Sequence, residues 1–216
     1  MATHTVEQGE FLSQIAARFG FASIKPIWDH PDNAALRAKR PDPNVLLPGD
    51  RVVIPDVEPK SQQAATGSMA SFALADENLT LRLRLLGIGD KPLTARSCVL
   101  DVAGSSHTLV TDANGVIEQP IDVSASTAAL TIDNPEGEAT KLVVELNVGH
   151  LDPVSEVSGQ RERLRNLGYF ADPLEGDDPD AVFRAAVEEF QCDHKLAVDG
   201  KCGPGTQAKL REVHGC

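Results

Sequence analysis

Aromatic side chains are scarce in this chain: they make up 4% of its 216 residues, with one Trp and one Tyr. Aromatics bury the most area per residue, so their scarcity argues against one large core and for several small ones built from Leu, Val and Ala. Basic charge is also in deficit, since 20 Lys and Arg against 32 Asp and Glu give a formal net charge of -12. The imbalance is uneven: residues 1–56 carry 6 basic and 7 acidic side chains, and the other 160 carry 14 and 25. Without clustered Lys and Arg to neutralise phosphate, the pattern argues against nucleic acid and anionic lipid as partners. No apolar run approaches the roughly 20 residues that span a bilayer. Residues 1–7 are polar and hold neither a basic n-region nor an apolar h-region, which leads to an expectation of a soluble chain made in the cytoplasm without a signal peptide.

Helical signals dominate the last third. Leu164 and Leu167 give a first helix its core stripe, and Gly168 ends it. Asp178 reads as an N-cap followed by Pro179 at the first helical position. Val182, Phe183, Val187 and Phe190 make the apolar face of that second helix. Pro204 opens a third, with Leu210 and Val213 turned inward. The ordered set Gln160-Arg-Glu-Arg-Leu164-Arg-Asn-Leu-Gly-Tyr169, Phe183-Arg-Ala-Ala-Val-Glu-Glu-Phe190-Gln and Val198-Asp-Gly200-Lys-Cys-Gly-Pro-Gly205-Thr resembles the three-helix peptidoglycan-binding domain of bacterial cell-wall hydrolases. That resemblance covers most of the last sixty residues and implies wall contact at the turns: Leu167, Gly168, Tyr169 and Phe170, with Val198, Asp199 and Gly200.

At the other end, residues 3–6 and 51–54 read as short strands bracketing helical sequence. Phe11, Leu12, Ile15, Ala16 and Phe19 recur at helical spacing, and Gly20 follows as a cap. A second helix is expected from about Asp32 through Leu36. The stretches His4-Thr-Val-Glu-Gln-Gly-Glu-Phe-Leu12 and Asn44-Val-Leu-Leu-Pro-Gly-Asp-Arg-Val-Val-Ile54 resemble a LysM module, a βααβ fold that binds N-acetylglucosamine-containing glycans. The resemblance implies a shallow glycan groove lined by Gln8, Gly9, Glu10 and Phe11 from one loop and Asn44, Val45 and Leu46 from another. A neutral acetamido sugar suits backbone amides and a small apolar platform. Gly9-Glu-Phe-Leu12 departs from the usual Gly-Asp-Thr-Leu, and the segment from Trp28 to Pro43 is longer than is typical.

Between these ends, residues 57–68 read as a polar linker. From Phe72 the period changes to two, most clearly where Leu79, Leu81, Leu83 and Leu85 alternate with Thr80, Arg82 and Arg84. Further strands are expected at residues 98–102, 107–110, 116–118, 128–132 and 142–148, with Asn114-Gly115 as a tight hairpin. Seven short strands suggest a small antiparallel sandwich. The stretch from Leu81 to Glu118 is similar to transthyretin-like and carboxypeptidase-regulatory-like β domains, which implies a spacer or a protein-docking module.

No catalytic constellation emerges. The six His are scattered, and Ser105-Ser106-His107 has no acid nearby in sequence. The acidic run from Glu175 to Asp180 lacks the ordered spacing of a calcium loop. Cys192, His194, Cys202, His214 and Cys216 match no common zinc site. Along an ideal helix Cys216 lies ~18–20 Å from Cys202, too far to share a metal or a disulfide. Cys192 and Cys202 can meet across the helix–turn–helix, so a disulfide there and free buried thiols both stay open. Cys98, alone on a strand, reads as core.

The fold class expected is multidomain α+β: a LysM-like βααβ unit at residues 1–56, the linker at 57–68, an antiparallel transthyretin- or Ig-like sandwich at 69–150 and a three-helix bundle at 151–216. The expected function is a non-catalytic peptidoglycan-binding protein without metal or cofactor. With Ile27-Trp-Asp-His-Pro-Asp-Asn33 and Lys39-Arg-Pro-Asp-Pro-Asn-Val45 in the first unit, the sandwich, and Leu151-Asp-Pro-Val-Ser155 through Val213-His-Gly-Cys216 in the last, the whole arrangement resembles LysM-containing proteins encoded beside the spike proteins of type VI secretion systems, which implies delivery to the periplasm by a contractile machine and a spike or effector protein as a second partner. The alternatives are an intracellular adaptor that docks a spike or effector without binding wall, and a wall hydrolase with an unrecognised site.

Overall fold

The computed structural model describes residues 1–57, 79–87, 91–133 and 141–215. The expected linker, apart from Val57, and the strand expected from Phe72 lie outside the described residues, as does Cys216. The chain is mixed α+β, with antiparallel sheets and helices gathered at the C-terminus. Three separate apolar clusters form, one in each third of the chain. This is the arrangement that a shortage of large aromatic side chains favours.

In the N-terminal unit β1 (Ala2–Thr5) pairs antiparallel with β2 (Arg51–Ile54), with Thr3 opposite Val53. Between them run α1 (Leu12–Arg18), α2 (Lys25–Trp28), a 3-10 turn (Pro31–Asn33) and α3 (Ala34–Lys39). Leu12, Ile15 and Ala16 bury the face of α1 that its spacing predicts. The single-turn α2 is additional to the two helices expected; with one apolar residue buried, Ile27, it has no period to read. Asn33 is buried and substitutes for a strand: its amide donates to Ile27 O and Val53 O, each at 2.8 Å, and its oxygen accepts from Val53 N at 2.8 Å. Arg40, 2% exposed, closes the longer segment by donating to Asp50 at 2.7 and 3.3 Å. Lys39 and the Leu47 N–H also reach Asp50, at 3.2 and 3.0 Å.

The middle unit has two antiparallel sheets facing one core. One pairs β3 (Leu79–Arg84) with β6 (Val116–Ile121). The other runs in the order β5 (Ser105–Val110), β4 (Ser97–Val102), β7 (Thr127–Asp133), β8 (Lys141–Asn147). Leu79, Leu81 and Leu83 turn toward that core, while Arg82 pairs with Glu118 on the outside at 3.0 Å. Asn114-Gly115 does not make a hairpin. It carries the chain from β5 in one sheet to β6 in the other, and Asp112 holds the turn by accepting from Asn114 N and Val116 N at 2.8 Å each. The tight hairpin is at Ala103-Gly104, between β4 and β5, where φ is +49° and +78°. Two successive positive φ values make the type I′ geometry that matches strand twist.

The C-terminal unit packs α4 (Val157–Asn166), α5 (Pro179–Asp193) and α6 (Pro204–His214) around Leu164, Ala186, Val187, Phe190 and Leu210. The Asp178 carboxylate caps α5 by accepting from Asp180 N at 3.0 Å. Among the described residues no helix is long and apolar enough to cross a membrane. Of the two states that the sequence leaves open for Cys192 and Cys202, the structure has the free thiols and not the bridge. Cys192 follows the buried Gln191 onto the solvent side of α5, while Cys202 turns toward the helical core, where burial pushes its thiol up to about 11. Cys98 is buried in the sandwich core.

Candidate functional site

Two surface regions concern function, the loops implied for glycan at the N-terminus and the turns of the C-terminal helices. The N-terminal loops do meet. Leu12 N donates to Pro43 O at 3.2 Å, and the Ser13 hydroxyl reaches Asn44 Oδ1 at 3.0 Å. Their floor, however, is not open to solvent. Glu10, Phe11 and Leu46 are 7%, 2% and 4% exposed, leaving Gln8 exposed and Gly9, Asn44 and Val45 half-buried.

Glu10 is committed within its own unit. Its carboxylate takes the Glu7 N–H at 2.9 Å and a hydrogen bond with His4 at 2.6 Å, and pairs with Arg18 at 2.7 Å. Burial works to raise its pKa, but the Glu7 and His4 hydrogen bonds and the charges of His4 and Arg18 hold it below the usual range. Phe11 is covered from elsewhere in the chain. Gly149 lies so close that a Cβ there would stand 2.3 Å from the Phe11 ring, and His150 covers Gly9.

At the C-terminus the turns are tied together from below. Gln191, 1% exposed, is their hub. Its amide nitrogen donates to Asp199 Oδ1, Lys201 O and Thr206 Oγ1 at 2.9, 3.1 and 3.0 Å. Its oxygen accepts from Asp199 N and Gly200 N at 2.9 and 3.0 Å. The Asp199 carboxylate is held below its usual range by Gln191 and by the Lys201 N–H. Asp199 and Gly200 are therefore fixed as scaffold, and Val198 between them and the helix is left outside, 57% exposed.

The other turn divides the same way. Leu167 and Tyr169 pack on the helical core, with the Tyr169 ring edge-on to Phe190 at 5.5 Å and its hydroxyl donating to Asp193 at 3.1 Å. Phe170 points out, 57% exposed. The Tyr169–Asp193 bond brings this turn to the end of α5, from which the 194–200 loop departs. Of the seven implied residues, Leu167, Tyr169, Asp199 and Gly200 thus brace the turns, Gly168 is exposed backbone, and Phe170 and Val198 are exposed apolar side chains. Leu174, 68% exposed and not singled out by sequence reasoning, joins them as an exposed apolar residue of this unit. Gln191 was also missed as a hub; a polar residue set in the apolar stripe of Val187 and Phe190 was its only sequence signal.

The β unit holds a cavity of about 430 Å³ lined in part by Ser105, His107, Asp122 and Ser124. Folding thus brings His107 and Asp122 to the lining of one cavity. Asp122 is engaged by Ser124, whose hydroxyl and N–H donate to it at 2.5 and 2.8 Å and lower its pKa. Among the described residues no group of three or more His, Cys, Asp or Glu is placed to hold a metal ion.

Comparison with known families gives one finding. Residues 155–210 match the model of a peptidoglycan binding domain. A peptidoglycan-binding domain therefore forms the C-terminal unit, and the matched residues include the hub Gln191 on α5 and the turns that hold Phe170 and Val198. Neither the curated proteins nor the solved structures give a match to this chain.

Proposed function

We propose that the protein is a non-catalytic peptidoglycan-binding protein, attached to the wall through the C-terminal turns with Phe170 and Val198 as its apolar contacts. The observation that carries this reading is the peptidoglycan-binding domain at residues 155–210, whose two turns are rigidly braced from below while their apolar tips stay in water. A braced, exposed apolar side chain loses little freedom when it docks, so more of its contact energy remains for binding. Cosedimentation of the full chain with purified sacculi tests it. We expect Phe170→Ser with Val198→Ser to lower retention at least fivefold with little change in melting temperature. Equal retention would reject these contacts, and release of soluble fragments from the sacculi would support the hydrolase reading instead.

Delivery by a type VI or related contractile secretion machine is part of the same proposal and rests on the similarity of module order drawn from sequence. It entails arrival in the periplasm that stops when the contractile sheath is inactivated.

A further inference from the structure

We propose that residues 148–150 act as an internal plug on the glycan loop of the N-terminal unit, so that wall glycan and the chain's own Gly149-His150 compete for one surface. The inference rests on the LysM-like reading of that loop.

The contact sets the backbone of Gly149 against the Phe11 ring and the backbone of Gly9 against the His150 ring. Gly9 and Gly149 both have left-handed φ, +82° and +79°. A Cβ on Gly149 would stand 2.3 Å from Phe11 Cδ1 and 3.0 Å from Gly9 O, and one on Gly9 would stand 2.8 Å from His150 Nε2. Two surfaces this close admit no side chain and no sugar between them. They cover the floor a neutral sugar would use, the Phe11 ring and the Gly9 backbone.

The plug is anchored outside the loop it covers. Val148 N donates to Ser126 O in the β unit at 2.9 Å, and the His150 ring bonds Val148 O at 3.2 Å. Downstream, Asp152 N donates to Glu162 of α4 at 3.1 Å. Among the described residues, the strap that runs on from the plug into α4, residues 151–156, makes one ion pair to the N-terminal unit, Arg40 with Glu156 at 4.0 Å. Among the described residues the hydrogen bonds of this segment thus run to the middle and C-terminal units, while it meets the N-terminal one by packing on Phe11 and Gly9 and by that single pair, an asymmetry suited to a reversible cover. A ligand that needs the open form binds with its intrinsic affinity reduced by the open fraction.

The test uses the full chain, ¹⁵N-labelled, titrated with the tetramer of β-1,4-linked N-acetylglucosamine. Gly149→Val drives a branched side chain into Phe11. Glu156→Arg sets like charges against Arg40 without touching either loop, and stands if the first variant misfolds. We expect both to enlarge the radius of gyration and to tighten tetramer binding at least tenfold, with shifts at the amides of Gln8, Gly9, Asn44 and Val45. Unchanged radius in both variants, or equal affinity in wild type and opened chains, overturns the plug. Opening without any shift at those amides overturns it by removing the glycan reading of the N-terminal loop. Retention on sacculi through residues 155–210, measured in parallel, shows separately whether wall binding itself stands.

Discussion

The N-terminal unit closes its long 40–50 segment with a charged pair, Arg40 and Asp50, whereas the C-terminal unit closes residues 199–206 with one neutral amide, Gln191. Both devices satisfy several loop groups from one buried side chain, as a small core requires when it cannot hold its loops by apolar contact. They differ in what disturbs them. A buried ion pair is sensitive to loss of either charge and to acid; an amide hub responds to loss of shape and hydrogen bonding. The two units can be followed apart, because the single Trp, Trp28, lies in the first and the single Tyr, Tyr169, in the second.

The largest effect should come from Asp50→Asn, which leaves the buried Arg40 charge, among the described residues, with only the distant Glu156 carboxylate, at 4.0 Å, as its counter-ion. We expect about 3–5 kcal/mol lost from the N-terminal unit, read as early unfolding of the Trp28 signal in denaturant with the Tyr169 signal in place. Next is Gln191→Leu, which keeps the volume but leaves the Asp199 and Gly200 N–H groups without their acceptor. About 2–3 kcal/mol should go from the C-terminal unit, seen in Tyr169, with Trp28 unmoved. Should the two probes move together in either variant, the units form one cooperative body and the contrast between them fails.

The smallest effect is a separation by pH. Burial, aided by the Arg163 charge, lowers His214 from 6.5 to about 4. The unfolded chain therefore binds a proton between those values that the folded chain refuses, so the C-terminal unit loses stability as pH falls from 6.5 to 4. The loss should be about 2 kcal/mol, allowing for water near the ring. Asp50 has the opposite shape. Burial raises its pKa, but Arg40, the Leu47 N–H and Lys39 outweigh that and hold it below 3.8. Its contribution is intact above 3.8 and is lost only as pH falls further. Melting by Tyr169 should thus soften between pH 6.5 and 4, with Trp28 following at lower pH; the reverse order would overturn both assignments.

Much of the fold could be read from sequence where local chemistry agrees with tertiary packing. The alternating Leu of β3 and the Asp178-Pro179 start of α5 did not need distant partners to declare themselves. The Asn114-Gly115 turn misled because its positive φ suits a hairpin and a sheet-to-sheet crossing alike, and only strand pairing separates them. Cys192 and Cys202 lie at bridgeable spacing, but the rotation of α5 turns Cys192 outward while Cys202, on the loop before α6, packs on the helical core. At the candidate site the motif located the right turns, yet it did not separate Phe170 from Tyr169, since which of two adjacent aromatics is buried depends on Phe190 in another helix. The cover over Phe11 was invisible because it is contributed by a glycine far along the chain.

Arg163 gives the strap a mechanical character. Almost fully buried, it donates to Asp152 O and Gly159 O at 2.7 Å each, stitching the incoming chain to the first turn of α4. Tension applied between the middle and C-terminal units arrives along residues 148–152. There it meets a pair of crosswise bonds before any helical turn is stretched. The joint between tether and anchor is in that sense a seam that resists peeling.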